Sequence, residues 1–382
     1  MQRALTVIGF ATLSLAVYGR CAAQTAAVGP PPLEQWGEET LANIQRDFWR
    51  GDLGLYRERV GGRRNRRPAP AYMWSAGVQL SALADAARIE PEKHSAALIT
   101  YADALDRYWQ ANHNGLGGYD VLPLPKDADR YYDDNAWIVL ALVETYDVTR
   151  EPKYLDRAAD TLRFVLSGED EQLGGGVYWR ENERTSKNTC SNAPAVVAAL
   201  RLFQHTQQPQ HREAARRIYD WTSARLQDGE DGLFWDNVRL DGAVDRRKFT
   251  YNSALMIRAN CLLYQLDGDN RYLAEAQRIA RAAETRWVDS DSGAVRDTGK
   301  FAHMLLEAFL AVHRLDRDPR WRAVVERSLV FIHDKLRDAN GRYPSRWDRP
   351  SLPPPRSYQL IDQASVARAY FVAAQALHHG GD

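Results

Sequence analysis

Residues 147–162 read DVTREPKYLDRAADTL, and the phrase returns as HTQQPQHREAARRIYDW at 205–221, QLDGDNRYLAEAQRIA at 265–280 and RLDRDPRWRAVVERSL at 314–329. A weaker copy, ARIEPEKHSAALITYADAL, occupies 87–105. In every copy an apolar helix runs into a polar turn of Asp, Asn, Pro or Gly, and a second helix opens on basic or aromatic residues. The copies lie roughly 50–60 residues apart, which is the signature of an array of helix pairs.

Apolar residues at a 3.6-residue period on either side of these turns predict twelve helices. They begin near Leu33, Tyr72, Pro91, Asp133, Pro152, Ser191, Pro209, Tyr251, Arg271, Phe301, Pro319 and Tyr358. Helices that follow the phrase carry many charges, as in YLDRAADTLRFV, and suit an outer ring. Their partners are rich in alanine, as in APAVVAALRLF and ASVARAYFVAAQAL, and small side chains let helix axes approach closely. The expected fold is all-α, an (α/α)6 barrel of six inner and six outer helices in a single domain. An open solenoid is the alternative, but no capping repeats are evident at either end.

The 382 residues are 45% hydrophobic and 26% charged, with Lys plus Arg and Asp plus Glu balanced at 50 each. That balance supplies no field for nucleic acid or an anionic membrane surface. MQR, the apolar run ALTVIGFATLSLAVYG and CAA before Gln24 read as a signal peptide over residues 1–23, so export to the periplasm or beyond is expected. A short linker, 24–32, leads into a barrel domain over 33–382. Lipid attachment at Cys21 is the rival reading, disfavoured by Arg20 where a small residue belongs. No later stretch approaches a membrane span. Nine scattered histidines without an HxH or HExxH pattern predict no metal, and no cofactor is expected. Cys190 and Cys261 stand about 15 Å apart along parallel helices, beyond disulfide reach. A monomer is expected.

In such a barrel the inner helices run parallel, so their N-termini gather on one face. The segments there are AYMWS with Trp74, YYDDN, TSKNTCSN with Asn188 and Asn192, FTYNS with Tyr251 and Asn252, KFAHM with His303, and LIDQAS with Asp362 and Gln363. Helix capping explains one polar residue at each start. It does not explain the aromatic residues beside them, and eleven Trp and eighteen Tyr exceed what a core of this size needs. Such rings commonly stack on sugars. The loops GGGVYWRENERTSKN (174–188) and GLFWDNV (232–238) predict short β-flaps over the same face, bringing Trp179, Trp235 and Asp236. Packing of both tryptophans against the rim is the structural alternative. RPSLPPPRSY reads as a stiff loop without chemistry. The adjacent Asp133 and Asp134 suit either a helix's first turn or a catalytic pair.

Taken together, YYDDNAW, GGGVYW, KNTCSNA, GLFWDNV and FTYNS resemble glycoside hydrolase family 76 in order and spacing. These are bacterial endo-acting α-1,6-mannanases and their fungal wall-transglycosidase relatives. Ser75, Ala76 and Ser253 depart from the family pattern and bear on subsite detail. The resemblance implies a retaining hydrolase of α-1,6-mannan working through a covalent intermediate, with Asp133 as nucleophile and Asp134 as acid/base. It also implies mannose subsites lined by Trp137, Trp179, Lys187, Asn188, Asn192, Trp235, Asp236, Tyr251 and Asn252, with Tyr132 positioning the pair. Trp74 and Asn135 join them from the helix starts. Retention requires two carboxyls about 5–5.5 Å apart, and carboxyls that close resist ionising together.

The expected partner is a polysaccharide, α-mannan. Alternatives are a transglycosidase acting on α-mannan or a GPI-type glycan with the same pair, and a non-catalytic secreted mannan-binding protein. A terpene cyclase is excluded because DDNAW lacks the final acid of a DDxxD box, and Asp129 lies four residues ahead of Asp133, where DxDD needs two. A sugar epimerase would need histidines as acid and base, and only His303 stands at an inner start. An unsaturated-uronide hydrolase would draw its aspartates from separate helices.

Overall fold

A computed structural model describes residues 30–62, 69–123 and 129–377, and in it each strong copy of the recurring phrase ends one helix on a left-handed residue. These residues are Arg150 (φ 58°), Gln207 (53°), Gly268 (68°) and Arg317 (58°). Each backbone N–H returns to the carbonyl four residues back, on Tyr146, Phe203, Tyr264 and His313, at 2.8–2.9 Å. That bond satisfies a carbonyl the helix end would leave orphaned. Pro152, Pro209 and Pro319 then start the next helix, where the missing N–H costs nothing. The weaker copy turns at Glu90 (φ −121°) instead.

Among the described residues this produces twelve α-helices: α1 (Leu33–Phe48), α2 (Met73–Ile89), α3 (Pro91–Ala104), α4 (Tyr132–Thr149), α5 (Pro152–Leu166) and α6 (Thr189–Thr206), followed by α7 (Pro209–Leu226), α8 (Thr250–Asp267), α9 (Asn270–Trp287), α10 (Gly299–Asp316), α11 (Pro319–Phe331) and α12 (Leu360–Leu377). Every start lies within two residues of its expected position. The even-numbered helices pack in sequence, α2 on α4 through to α10 on α12, and α12 packs back on α2. The ring is closed, as the barrel reading requires. The expected signal peptide and residues 24–29 of the linker lie outside the described residues.

Burial separates the two rings. Helix α6 buries every residue from Thr189 to Leu200, which works because Ala193, Ala195, Ala198 and Ala199 take so little room. Helix α5 buries one stripe, Tyr154, Ala158, Thr161, Leu162 and Val165, and turns its charges outward. Both Cys190 and Cys261 are buried free thiols.

Among the described residues the chain's weak strand signal hides four small antiparallel sheets. Trp49–Arg50 pairs with Leu55–Tyr56, Arg59–Gly61 with Ser357–Gln359, and Trp109–His113 with Leu116–Tyr119. Ser186–Asn188, Asn237–Arg239 and Val244–Asp245 form a three-stranded sheet, the flap expected from the glycine-flanked loops. Strands of two to five residues are too short to set up a readable alternation. Most of these strands sit in the loops leading into α2, α4, α6, α8 and α12.

Toward the opposite end, buried charges cross the ring beside a polar cavity of about 430 Å³. Arg368 on α12 donates to both carboxylate oxygens of Glu144 on α4, at 2.7 and 2.9 Å, and reaches Glu307 on α10 at 3.3 Å. Arg258 on α8 also pairs with Glu307, at 3.1 Å. Burial alone would raise the Glu144 carboxyl, but the Arg368 guanidinium outweighs it and holds Glu144 below its ordinary range. Removing one partner of such a group strands the other charge. Arg368→Ala should lower the unfolding free energy by about 3–5 kcal/mol in urea melts at neutral pH. The gap from wild type should narrow on acidification, as Glu144 takes up a proton.

Candidate active site

Helix α4 starts at Tyr132, with Tyr131 as its N-cap and no side chain capping it. Asp133 and Asp134 are therefore second and third in the first turn, so capping does not account for them. Asp133 accepts at Oδ1 from the backbone N–H of Asp134 (3.0 Å) and at Oδ2 from the indole N–H of Trp179 (2.9 Å), and the Cys190 thiol also hydrogen-bonds it. Among the described residues the Asp134 carboxyl has no hydrogen-bond or ion-pair partner, and it lines the same cleft.

That cleft has a volume of about 620 Å³ and draws its walls from the starts of α2, α4, α6, α8 and α10. One wall is aromatic. Phe301 stacks on Tyr251 (4.2 Å, 9° between planes) and on Trp74 (5.7 Å, 24°), with Phe249 against it at 5.5 Å. The other wall is polar, with Ser186, Asn188, Asp236, Asn237 and Arg247. Trp137 and Trp179 stand with the aspartates, and Trp179 remains 42% exposed.

Electrostatics separate the two carboxyls. Burial pushes Asp133 above the usual carboxylate range, while the donors Trp179 and Asp134 N–H pull it back down. Burial pushes Asp134 up as well, and there the negative charges of Asp133, Asp129, Glu58 and Asp120 add to the effect. The donors favour the ionised form of Asp133, and the surrounding negative charges favour the protonated form of Asp134. Burial likewise raises Asp236, which accepts from Asn237 at 3.1 Å and faces Arg247 at 3.6 Å.

Of the residues expected at the site, Asp133, Asp134, Trp74, Trp137, Trp179, Asn188, Asp236 and Tyr251 line the cleft. Tyr132, Asn135, Lys187, Asn192, Trp235 and Asn252 are outside its wall. Asn135 is fully buried and grips Tyr119, accepting from its N–H (2.7 Å) and donating to its carbonyl (2.9 Å). Asn192 does the same to Val177, at 2.7 and 2.8 Å. Both amides hold loops, which removes them from the sugar-contact set. Lys187 has no exposed surface, because its ammonium is spent on Asp170 and on the carbonyls of Gln172 and Gly175, each at 2.7 Å. Tyr132 stacks under the helix start on Phe164 (4.9 Å) and accepts from Arg184 (3.0 Å). Trp235 donates to Asp228 (3.2 Å), and Asn252 is fully buried.

The residues not foreseen at the site are Tyr131, Thr185, Ser186, Cys190, Asn237, Arg247, Phe249 and Phe301, with Val121 at the edge. At KFAHM it is the phenylalanine that faces the cleft. His303 is buried, bonded through Nδ1 to the Gly299 carbonyl (3.0 Å), and desolvation lowers its pKa to about 4. Phe301 opens its helix beside the aromatic starts of α2 and α8, which was the available signal. Arg247 lies in loop sequence with no pattern to mark it, whereas Asn237 stands inside the GLFWDNV segment, on the strand Asn237–Arg239.

The family model for glycosyl hydrolase family 76 matches residues 36–332. A family 76 α-mannanase structure from Bacteroides thetaiotaomicron is 33% identical, covers 90% of this chain and 96% of its own, and superposes with a TM-score of 0.86. An inactive variant of an α-1,6-mannanase from Salegentibacter sp. HEL1_6, in complex with α-1,6-mannotriose, shares the fold at 22% identity, 90% and 99% coverage and a TM-score of 0.77. The Meiotically up-regulated gene 191 protein of Schizosaccharomyces pombe is 27% identical over 222 residues, 54% of this chain and 49% of that one. The chain thus spans about half the length of the curated relatives it matches. With its family model matched across most of the barrel, the chain belongs to glycosyl hydrolase family 76.

Proposed function

We propose that this protein is an exported, retaining endo-α-1,6-mannanase. The observation that carries the reading is the unequal pair at the start of α4, an Asp133 carboxylate held by hydrogen-bond donors beside an Asp134 carboxyl that has none among the described residues. The ionised Asp133 attacks the anomeric carbon while Asp134 gives its proton to the leaving glycosidic oxygen. In the second half Asp134, now a base, takes a proton from the water that hydrolyses the glycosyl ester. The positive end of α4 favours the anionic member in both halves. The wall of Trp74, Tyr251 and Phe301 offers ring faces to a sugar, and Asn188 and Asp236 offer hydrogen-bonding groups to its hydroxyls. The Salegentibacter α-1,6-mannanase supports the substrate class, since its inactive form carries replacements at two consecutive aspartates and holds α-1,6-mannotriose.

Asp133→Ala and Asp134→Ala should each lower turnover of α-1,6-mannan by about a thousandfold or more, measured as released reducing ends, with circular dichroism unchanged. Near-native turnover in either variant would sink the assignment. Proton NMR of the first product should show the α-anomer, and an initial β-anomer would reject retention. Products longer than the supplied substrate would instead indicate glycosyl transfer.

The pH profile follows from the two environments. Activity needs Asp133 ionised and Asp134 protonated, so kcat/KM should rise through the Asp133 pKa and fall through that of Asp134. Because burial raises both, the acidic limb should lie above the ordinary aspartate value of about 3.9. Asp134→Asn, which carries no titrating proton, should remove the basic limb from whatever activity remains.

A further inference from the structure

Trp179 has a second relation to the pair besides facing the cleft. Its indole N–H is a side-chain donor to Asp133 Oδ2, at 2.9 Å. The loop that carries it is fastened to the helix start it serves. The Trp179 carbonyl accepts from the N–H of Tyr132 (2.9 Å), and Tyr131 and Arg180 form an antiparallel bridge. The indole also meets the edge of Tyr131, with ring centroids 5.2 Å apart and planes at 67°. The Arg180 guanidinium lies over that tyrosine's ring at 5.1 Å and is itself held by Asp129 at 2.7 Å. Below the loop Gly176, at φ 81°, lies against Trp221, where a Cβ would come within 2.5 Å of the indole. The indole donor is thus carried on backbone bonded directly to the residues that precede Asp133.

We propose that Trp179 is the positioning residue of the pair, its indole N–H orienting the Asp133 carboxylate for attack. This rests on the reading of Asp133 as the nucleophile. A flat ring used only as a sugar platform has no need of a bond to a carboxylate. Conversely, a donor used only for structure would not be left 42% exposed in the cleft. The same side chain therefore joins nucleophile and sugar, and its two contributions separate in Trp179→Phe, which keeps a ring and loses the N–H.

The primary test is a carbon-13 NMR titration of carboxyl-labelled aspartates in the full chain, with Asp133 assigned by its loss in Asp133→Asn. A hydrogen bond to a charged acceptor contributes enough that Trp179→Phe should move the Asp133 titration up by about one pH unit. An unmoved titration overturns the proposal whatever the substrate proves to be. On α-1,6-mannan the acidic limb of kcat/KM should move up by the same amount. There kcat should fall about tenfold and KM should change little, the pattern of a lost transition-state interaction. A raised KM with an unmoved acidic limb would show a sugar platform alone and overturn the proposal. If the wild-type enzyme leaves α-1,6-mannan intact, the substrate assignment fails, and the NMR titration still decides the role of Trp179.

Discussion

Six helices that begin on one face leave their first N–H groups without intrahelical partners, and those groups must be satisfied by whatever lies above. The upper architecture follows from that constraint. The loops come down onto the helix starts as short extended pieces, so that Trp179 takes the N–H of Tyr132, Asp236 that of Thr189, and Asp297 that of Thr250. The fourth residue of four inner helices completes the join. Asn135, Asn192 and Gln363 each accept from and donate to one loop residue, Tyr119, Val177 and Tyr343 respectively, and Ser253 accepts from Phe234. Strand pairing among the loops then leaves a cleft between them.

Two glutamates at the base and the aspartate pair at the top are treated in opposite ways, although Asp85 at the base is raised by burial despite its bond to Arg88 at 3.0 Å. At the base Glu144 and Glu307 meet Arg368 and Arg258 directly, and both are held below their ordinary range despite burial. At the top no described arginine or lysine pairs with Asp133 or Asp134, and burial there pushes both upward. Where the guanidinium outweighs burial, as at Glu144, the carboxylate is settled. A carboxyl left with dipoles alone sits near the point where a proton can be given up or taken.

Much of this could be read from the chain because helix pairs announce themselves twice, by period and by punctuation. Proline at helix starts and the Asp- or Gln-rich turns marked the boundaries to within two residues. The aspartates and Trp74, Trp179 and Tyr251 were legible at the cleft because helix starts converge. The amides misled for a physical reason. At a helix start, an Asn that reads a sugar and an Asn that grips a passing loop have the same composition and nearly the same position. Burial distinguishes them, and Asn135 and Asn192 have none of their surface exposed, whereas Asn188 retains 8%. Lys187 was lost in the same way, since a charge next to a cleft motif was spent on its own loop. Phe301 and Arg247 depend on which way a chain leaves its helix or strand, and no periodicity records that.

The grip at the fourth helical residue also bears on how such a barrel diversifies. Asn135, Asn192 and Gln363 each hold a loop through both backbone groups of a single residue, so this part of the anchorage does not depend on the identity of the held side chain. Each loop behaves as an interchangeable cassette plugged into a common socket. A lineage can lengthen, shorten or re-letter one cassette without disturbing the staves beneath it, and this shelters the scaffold from experiments in recognition.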